Sequence, residues 1–524
     1  MLTPEYLDRI SDGILGMYDA LNESIIEDIA RRIVKTGKVT DTATWQAKQI
    51  QEAGALYEDV IKRVSEMSGY TEEELYRLFN EAGVENIRYE QDIMSQAGLM
   101  PLDLKQSEGM LKILKAGIEK TNKDLSNLTL TTAIRSQNAF YNATNLAYLQ
   151  VSGGMLSYQE AIKKAILSTA EEGATILYPS GHIDKIDVAV RRAVLTGVNQ
   201  TAAQMSLQFC AEMDCDYVET TAHSGARPSH TEWQGQVFCL SGKDRKYRPF
   251  SDTGYGTGAG LCGWNCRHNF NAFWPGISTF GYTKEMLDDY SAKKYEYNGN
   301  KYTDYECSQI QRNQERKIRE TRRQLAACDS AKKATNDDVL KNKLQMEFQD
   351  KSVRLKSQEA KLKDFCRQTQ RRVDSSRLQV LATKDKNGRI VGFNKSTSQK
   401  AVWSNKKYIE KYSKYQYNKD GTIKVTDDWT QEKRIKIPPK YHSYAIIETT
   451  ETKKGIEYRN RTIYDEKGQM CKQIHSGNHG NPKTHNYGQN GEHTHVYEWE
   501  EGKIRNRYTR EMEMQERKEN KDLL

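Results

Sequence analysis

No apolar run in this 524-residue chain reaches the roughly 20 residues that a membrane-spanning helix needs, so no membrane role is expected. The first 35 residues are amphipathic and carry acids, which fits neither a secretory signal nor a transit peptide. Nine cysteines are scattered along the chain rather than packed into the dense pattern of a small secreted disulfide scaffold. The reading is a protein made in a reducing cytosol. Neither sign of charge dominates: 79 Lys and Arg against 71 Asp and Glu leave a net +8. That balance permits contact with nucleic acid or an acidic partner and requires neither. Hydrophobic residues make up only 37%, and mean hydropathy is −0.84, values that fit long solvated helices and extensions. No internal repeat is visible beyond heptad-like steps. The length predicts roughly two to four domains.

What is present begins with helices. Thr3-Pro4-Glu5 combines a hydroxyl N-cap, a first-turn proline and an acid, and so starts a helix. Leu7, Ile10, Ile14, Tyr18 and Leu21 follow at helical spacing, then Ile25, Ile26, Ile29 and Ile33, with Gly37 as the stop. Thr71 with Glu74 reads as a capping box opening a further helix. Leu111 to Ile118 and Leu128 to Leu149 mark two more. Residues 1–150 are therefore expected to form a helical domain whose stripes are core packing.

Residues 151–283 read as one α+β domain. Ser157 to Ala170 is amphipathic, Pro179-Ser180-Gly181 is a turn, and Asp184 to Met213 is helical through Val190, Val194, Val198, Ala202, Met205 and Phe209. Tyr217-Val218-Glu219-Thr220-Thr221 switches to alternation, which predicts a strand. It feeds a segment from His223 to Gly276 that is dense in Gly, Trp, Cys and His and poor in helical period, hence a loop-rich module. Within it, Cys262, Cys266 and His268, with Cys239 and His230 upstream, are soft ligands in a Gly-rich setting. Two readings stand open: a structural zinc held by Cys239, Cys262, Cys266 and His268, or buried thiols beside a hydrogen-bonded histidine. The spacing of Cys262 and Cys266 differs from the common two-residue knuckle. Gly254, Gly256, Gly258 and Gly260 do not precede a helix opening with Lys-Ser/Thr, so a phosphate-binding loop is not supported.

Residues 300–375 are charged and nearly free of Gly and Pro, with apolar residues at three- and four-residue steps and a break near Ser330–Asn336. They predict an antiparallel helical hairpin, a coiled-coil spacer or assembly arm. After Gln379 the period changes. Lys386-Asn387-Gly388 and Lys419-Asp420-Gly421 are hairpin turns, and 390–393, 422–425, 444–449 and 456–463 read as short strands of a β-containing domain at 380–500. Residues 501–524 read as a charged tail. Five of the ten histidines, His475, His479, His485, His493 and His495, crowd the end of that β domain. On a strand, His493 and His495 share one face. Such histidines suit general acid–base work on a phosphodiester, with His479, His485, His493 and His495 as the catalytic candidates, or they hold a metal; the plain alternative is a polar loop. Glu498 or Asp465 could orient one of them.

The stretch from Asp184 to Gly276 resembles the phage minor capsid protein 2 family and the Mu F-like head morphogenesis proteins. The resemblance rests on a helix running into Tyr217–Thr221, then Gly225-Ala226-Arg227-Pro228-Ser229-His230 with Trp233 and Gly235-Gln236-Val237-Phe238, and finally Gly263-Trp264-Asn265-Cys266-Arg267-His268. With the helical N-terminus it covers about residues 1–300. It implies a low-copy virion protein, made in the bacterial cytoplasm and built into the head near the portal during assembly and DNA packaging. Its implied partners are portal and major capsid proteins and packaged DNA. It assigns no catalytic residue. Related proteins carry a second Cys after Asn-Cys-Arg where this chain has His268. Residues 380–500 lie outside this match; Tyr464–Gly468 and His493–Trp499 are similar to C-terminal domains of polymorphic bacterial toxins, often nucleases. The expected architecture is therefore a multidomain α+β chain: helical N-terminal region, α+β head-protein module, antiparallel helical hairpin and small β-rich C-terminal domain.

Overall fold

A computed structural model describes residues 2–37, 42–96, 98, 100, 102–374, 378, 382–384, 390–393, 402–432, 436–453 and 455–524. The chain forms two compact units, 1–341 with 362–396, and 342–361 with 397–524.

The first unit is built on long helices. Thr3 Oγ1 accepts from the Tyr6 amide at 3.2 Å and starts α1 (Pro4–Arg9). The apolar stripe continues in α2 (Asp12–Lys35), and Gly37 follows its end at φ +73°, a left-handed position that favours glycine. α3 (Thr42–Gln96) and α4 (Glu108–Ser152) are single helices of 55 and 45 residues, about 80 and 70 Å long at 1.5 Å per residue, and they pack on each other. This corrects the expected helix start at Thr71. α3 runs straight through it, and the Thr71 hydroxyl donates to the Met67 carbonyl at 3.1 Å, the back-bond of a mid-helix threonine. The stripes at 111–118 and 128–149 likewise belong to the one helix α4.

α5 (Tyr158–Glu172) is capped by Ser157, and a hairpin of β1 (Thr175–Leu177) and β2 (Ile183–Lys185) turns through Pro179-Ser180-Gly181. Next comes α6 (Ile186–Glu212), which packs against α2, α3 and α4. Small residues let α4 and α6 approach closely. A Cβ on Gly117 would stand 2.1 Å from Thr201 Oγ1, and one on Gly197 2.2 Å from Thr121 Oγ1. From α3, Asn86 Nδ2 donates to the Ala202 carbonyl at 3.1 Å and to Ser206 Oγ at 3.0 Å.

The expected strand is β3 (Tyr217–Thr220). It pairs antiparallel with β4 (Val237–Cys239) and with β6 (Phe270–Ala272); β5 (Arg248–Pro249) completes a sheet ordered β5-β4-β3-β6. α7 (Lys284–Ser291) and the hairpin of β7 (Tyr295–Tyr297) and β8 (Asn300–Tyr302) lead to α8 (Asp304–Ala334), which opens with a Thr303/Glu306 capping box. α9 (Asp338–Gln368) follows after the predicted break. α8 is not a solvated arm. It buries Leu325, Ala326, Ala327 and Cys328 and packs on α2 and α5. Arg323 donates to the carbonyls of Ala170 and Glu171 at 3.0 and 3.1 Å. Its charges are therefore partly interior, which a count of Lys and Arg along the helix does not reveal. β9 (Ala382–Lys384) pairs antiparallel with β10 (Ile390–Phe393); the Lys386-Asn387-Gly388 turn lies outside the described residues.

The second unit is organised by a six-stranded sheet in the order β11-β12-β13-β14-β15-β16. β12 (Ile446–Lys453), β13 (Ile456–Tyr464), β14 (Met470–His475), β15 (His493–Glu500) and β16 (Lys503–Glu511) form an antiparallel meander, with β11 (Asp427–Asp428) parallel at one edge. Alternation puts Ile447, Tyr464 and Met470 on one face and Ile446, Ile463 and Ile474 on the other, and both faces are covered. Two expectations are corrected. Residues 422–425 make one bridge, Ile423 to Tyr417, rather than a strand. The charged tail is β16 plus a helix, Met514–Glu519, because its charges are satisfied against the sheet. Glu516 accepts from Lys472 Nζ at 2.6 Å, Arg510 at 2.8 Å and Thr494 Oγ1 at 3.0 Å. Burial pushes its carboxyl up, but Arg510 and Lys472 outweigh burial and hold it at about 2.

Arg461, 1% exposed, joins the sheet to the C-terminus: it donates to Glu448 at 2.8 Å and to both Asp522 oxygens at 2.9 and 2.5 Å. Arg461→Ala takes one of the two arginines from the nearly buried Glu448 and both donors from the Asp522 carboxylate, leaving Arg459 on Glu448 and on the Asp522 carbonyl. It is expected to destabilise the second unit by about 1–3 kcal/mol in a denaturant melt, since Arg459 still pairs with Glu448, with Arg461→Met less damaging because the stem still packs.

Candidate functional sites

The Gly/Trp/Cys/His module of the first unit is held by α6. Asn199 Nδ2 donates to the carbonyls of Cys266 at 3.0 Å and His268 at 2.9 Å. From α3, Glu90 accepts the Ala272 amide at 3.1 Å; burial raises its carboxyl to about 8. The glycines serve close packing. A Cβ on Gly260 would lie 2.1 Å from the Gly254 carbonyl oxygen, and one on Gly263 2.5 Å from that of Gly258. A Cβ on Gly258 would likewise stand 2.8 Å from the Trp264 ring, while Gly254 and Gly256 take left-handed φ of +64° and +88°, so the alternating glycines have local reasons.

His230, Cys266 and His268 converge, with ligand atoms within 4.8 Å of one another. His230 Nε2 donates to the Ala259 carbonyl at 2.9 Å, so in the neutral ring Nδ1 carries the lone pair. His268 Nε2 pairs with Gln234 Oε1 at 3.1 Å, which likewise leaves Nδ1. These two Nδ1 atoms face each other at 3.3 Å, with Cys266 Sγ 3.9 and 3.6 Å away. Three donors would suit a zinc ion with an open fourth position. Cys262 is adjacent, its thiol donating to the His268 carbonyl at 3.5 Å. Cys239 is at the other end of β3, beside Asp216 and Ser241, and does not join the group. Burial pushes the Cys262 and Cys266 thiols up and holds His268 well below the usual imidazole range, with His223 and His230 adding to the latter. Without a cation these are inert, neutral groups.

The other motif residues frame the cluster. Arg227 donates to the Trp264 carbonyl, and Pro228 opens a short turn ending at His230. The Trp233 ring lies 4.6 Å from that of His230 and 4.9 Å from that of His268. Gly235 sits at φ +64° against Leu287 and Tyr282, and Asn265 is left-handed at φ +54°. The cluster lines a cleft of about 370 Å³ whose walls carry Arg191, Arg227, Arg267, Arg312, Arg316 and Arg319 alongside Asp8, Asp12, Asp19, Asp187 and Glu315. Arg319 pairs with Asp187 at 3.1 Å, and Arg267 with Asp8 at 3.5 Å. Burial, then Asp187, raises Asp19 to about 7. Sequence reasoning missed Gln234, His223, Asn199 and the α8 arginines. The last were legible as the helical spacing of 312, 316 and 319, but their alternation with acids masked it.

In the second unit all five clustered histidines come together. The register sets His475 of β14 opposite His493 of β15. Their rings stack at 4.9 Å, and His495 lies 4.8 Å from each. His479 and His485 come from the loop between these strands and sit 5.3 and 4.2 Å from His493. Burial holds His493 at about 4 and His495 at about 3, with neighbouring Arg507 and histidines adding to it. Neither expected acid reaches the group. Asp465 accepts the Lys467 and Gln469 amides of its own turn, and Glu498 accepts from Asn506. The acid that does is Glu451, 3.2 Å from His479 Nδ1.

The first unit is thus a long-helix frame that holds a compact Gly/His/Cys module. The family model described as Phage minor capsid protein 2 matches residues 2–367, and the chain belongs to that family. A curated relative, a protein named structural protein of Lactococcus phage LL-H, is 24% identical over 308 residues, covering 56% of this chain and 79% of the relative. No solved structure matches. The protein is thus a phage structural protein, a virion component. The match runs from α1 through nearly all of α9 and leaves the five-histidine cluster outside it. Among the described residues no helix is long and apolar enough to cross a membrane.

Asn199→Ala removes the amide donor from the Cys266 and His268 carbonyls, and leaves the latter only weak thiol donors. Each such loss costs about 1–3 kcal/mol, so the variant's thermal transition is expected to fall while the helical circular dichroism of the folded protein is retained.

Proposed function

We propose that this protein is a low-copy component of the phage head, seated near the portal and acting in head assembly and DNA packaging. The observation that carries the reading is the family match over 2–367, which spans the helical frame and the module together. Portal and major capsid proteins are the proposed partners, with packaged DNA as a further contact. The Cys266/His230/His268 group supports a zinc ion that would staple the module, since its two facing lone pairs suit a cation better than each other. Quantitative mass spectrometry of purified particles is expected to find the protein at a fixed copy number well below that of the major capsid protein. Its absence from particles that are otherwise complete would rule the reading out.

A second reading makes the second unit a nuclease, as the convergence of five imidazoles allows. Burial weighs against it: His493 is 0% exposed and His495 4%, so a phosphodiester reaches only His479 and His485 at the rim. Cleavage of RNA or DNA by the full chain, abolished by His493→Ala with His495→Ala, would establish it. Intact substrates across added divalent metals would remove it.

A further inference from the structure

The five-histidine cluster is too costly in its imidazoles to be plain packing. His475 is buried, and neither of its ring nitrogens has a hydrogen-bond partner. A buried polar atom left unpaired costs about 1–3 kcal/mol, and a leucine there would avoid that penalty twice. The neighbouring rings show what His475 faces. His493 Nδ1 lies 2.8 Å from the Gly491 carbonyl, which can only accept, so Nδ1 carries the proton and Nε2 the lone pair. His495 Nδ1 is held by Thr509 Oγ1 at 2.7 Å, while a Glu451 carboxylate oxygen stands 3.2 Å from His479 Nδ1 as an ion-pair neighbour without a hydrogen bond. In His493 and His495 an outer oxygen fixes one nitrogen and turns the other inward, the arrangement that metal-ligating histidines have. The inward Nε2 atoms of His493 and His495 stand 3.3 Å apart. Two nitrogens bound at about 2.0–2.1 Å in tetrahedral geometry have nearly that separation.

We propose that His475, His479, His493 and His495 bind one divalent transition-metal ion of the zinc type through their imidazole nitrogens. The four ligand atoms lie within 4.8 Å of one another, and ligation would draw the wider pairs in. An all-imidazole set suits zinc, copper or nickel and disfavours calcium and magnesium. The strands set three of the ligands rigidly, His475 being the register partner of His493 with His495 two residues on, while His479 from the loop closes the site. His485 stacks on His493 at 4.2 Å and covers the outer side. The plain alternative is a hydrogen bond from His495 Nε2 to His493 Nε2, with the Thr509 hydroxyl donating to Nδ1. It satisfies that pair and leaves both His475 nitrogens unpaired. The inference is independent of whether the unit cleaves nucleic acid.

The test is titration of the full chain, stripped with chelator, with Co²⁺ as a spectroscopic substitute for Zn²⁺. Visible d–d bands without the near-ultraviolet sulfur-to-cobalt charge transfer are expected from this site. They should persist at one equivalent in Cys266→Ser, which removes the thiol of the other candidate site, and disappear in the double variant Cys266→Ser with His475→Leu. Melting gives a second readout. In chelator His475→Leu should melt no lower than wild type, since it removes only unpaired nitrogens; added Zn²⁺ should raise the transition of Cys266→Ser by several degrees and leave that of Cys266→Ser with His475→Leu unchanged. If His475→Leu does not fold, the comparison of wild type with Cys266→Ser still decides. No visible cobalt absorption, absorption wholly lost in Cys266→Ser, or a Cys266→Ser melt indifferent to zinc would overturn the proposal.

Discussion

The first unit depends on the enclosure of α6. A helix covered on most of its circumference must be apolar or small nearly all round, and Ile186, Val190, Val194, Val198, Ala202, Met205 and Phe209 are all buried. The glycine–threonine contacts bring α4 close on one side, and Asn86 from α3 satisfies a carbonyl on another. Because α6 is fixed, its single buried amide, Asn199, can hold two carbonyls of a segment that has almost no regular structure of its own. The module's shape is thus borrowed from the helix beneath it.

The second unit solves a different problem with buried charge. Its strands carry Arg459, Arg461, Lys472, Glu448 and Arg510, and the sheet stays sound because each is matched. Arg461 pairs with Glu448 and Asp522; Glu516 takes Lys472 and Arg510. Burial of ion pairs adds little net stability and is costly to break on one side, so these contacts specify which strand and which terminal helix belong together. The histidines are the exception within this scheme, since His475 is buried without a match.

Much of the helical frame was legible in residues: the Thr3-Pro4 start, the Gly37 stop, the long stripe of α6 and the switch to alternation at Tyr217. Lengths were less so. Thr71 with Glu74 has the spacing of a cap, yet a threonine hydroxyl can equally bond back to its own helix, and only the continuing stripe on both sides distinguishes the two. The tail was misread because its charges look solvated in one dimension, whereas Glu516 finds three donors from β14, β15 and β16. At the Cys/His module, proximity in sequence grouped Cys266 with His268 correctly, while Cys239 is carried away by the strand register that pairs it with Tyr217. Gln234 and Asn199 could not be singled out, since buried amides have no spacing signal. The five histidines were visible as a cluster, but their depth was not.

Family membership carries the central account: the chain is a structural component of the particle, with the family match over 2–367 and the five-histidine cluster beyond it. Cross-linking mass spectrometry on intact virions tests this most directly. The account predicts cross-links from the first unit, α3, α4 and the module included, to other head proteins, concentrated on the portal. Particles in which the first unit yields no links to any head protein, while the second unit does, would contradict it.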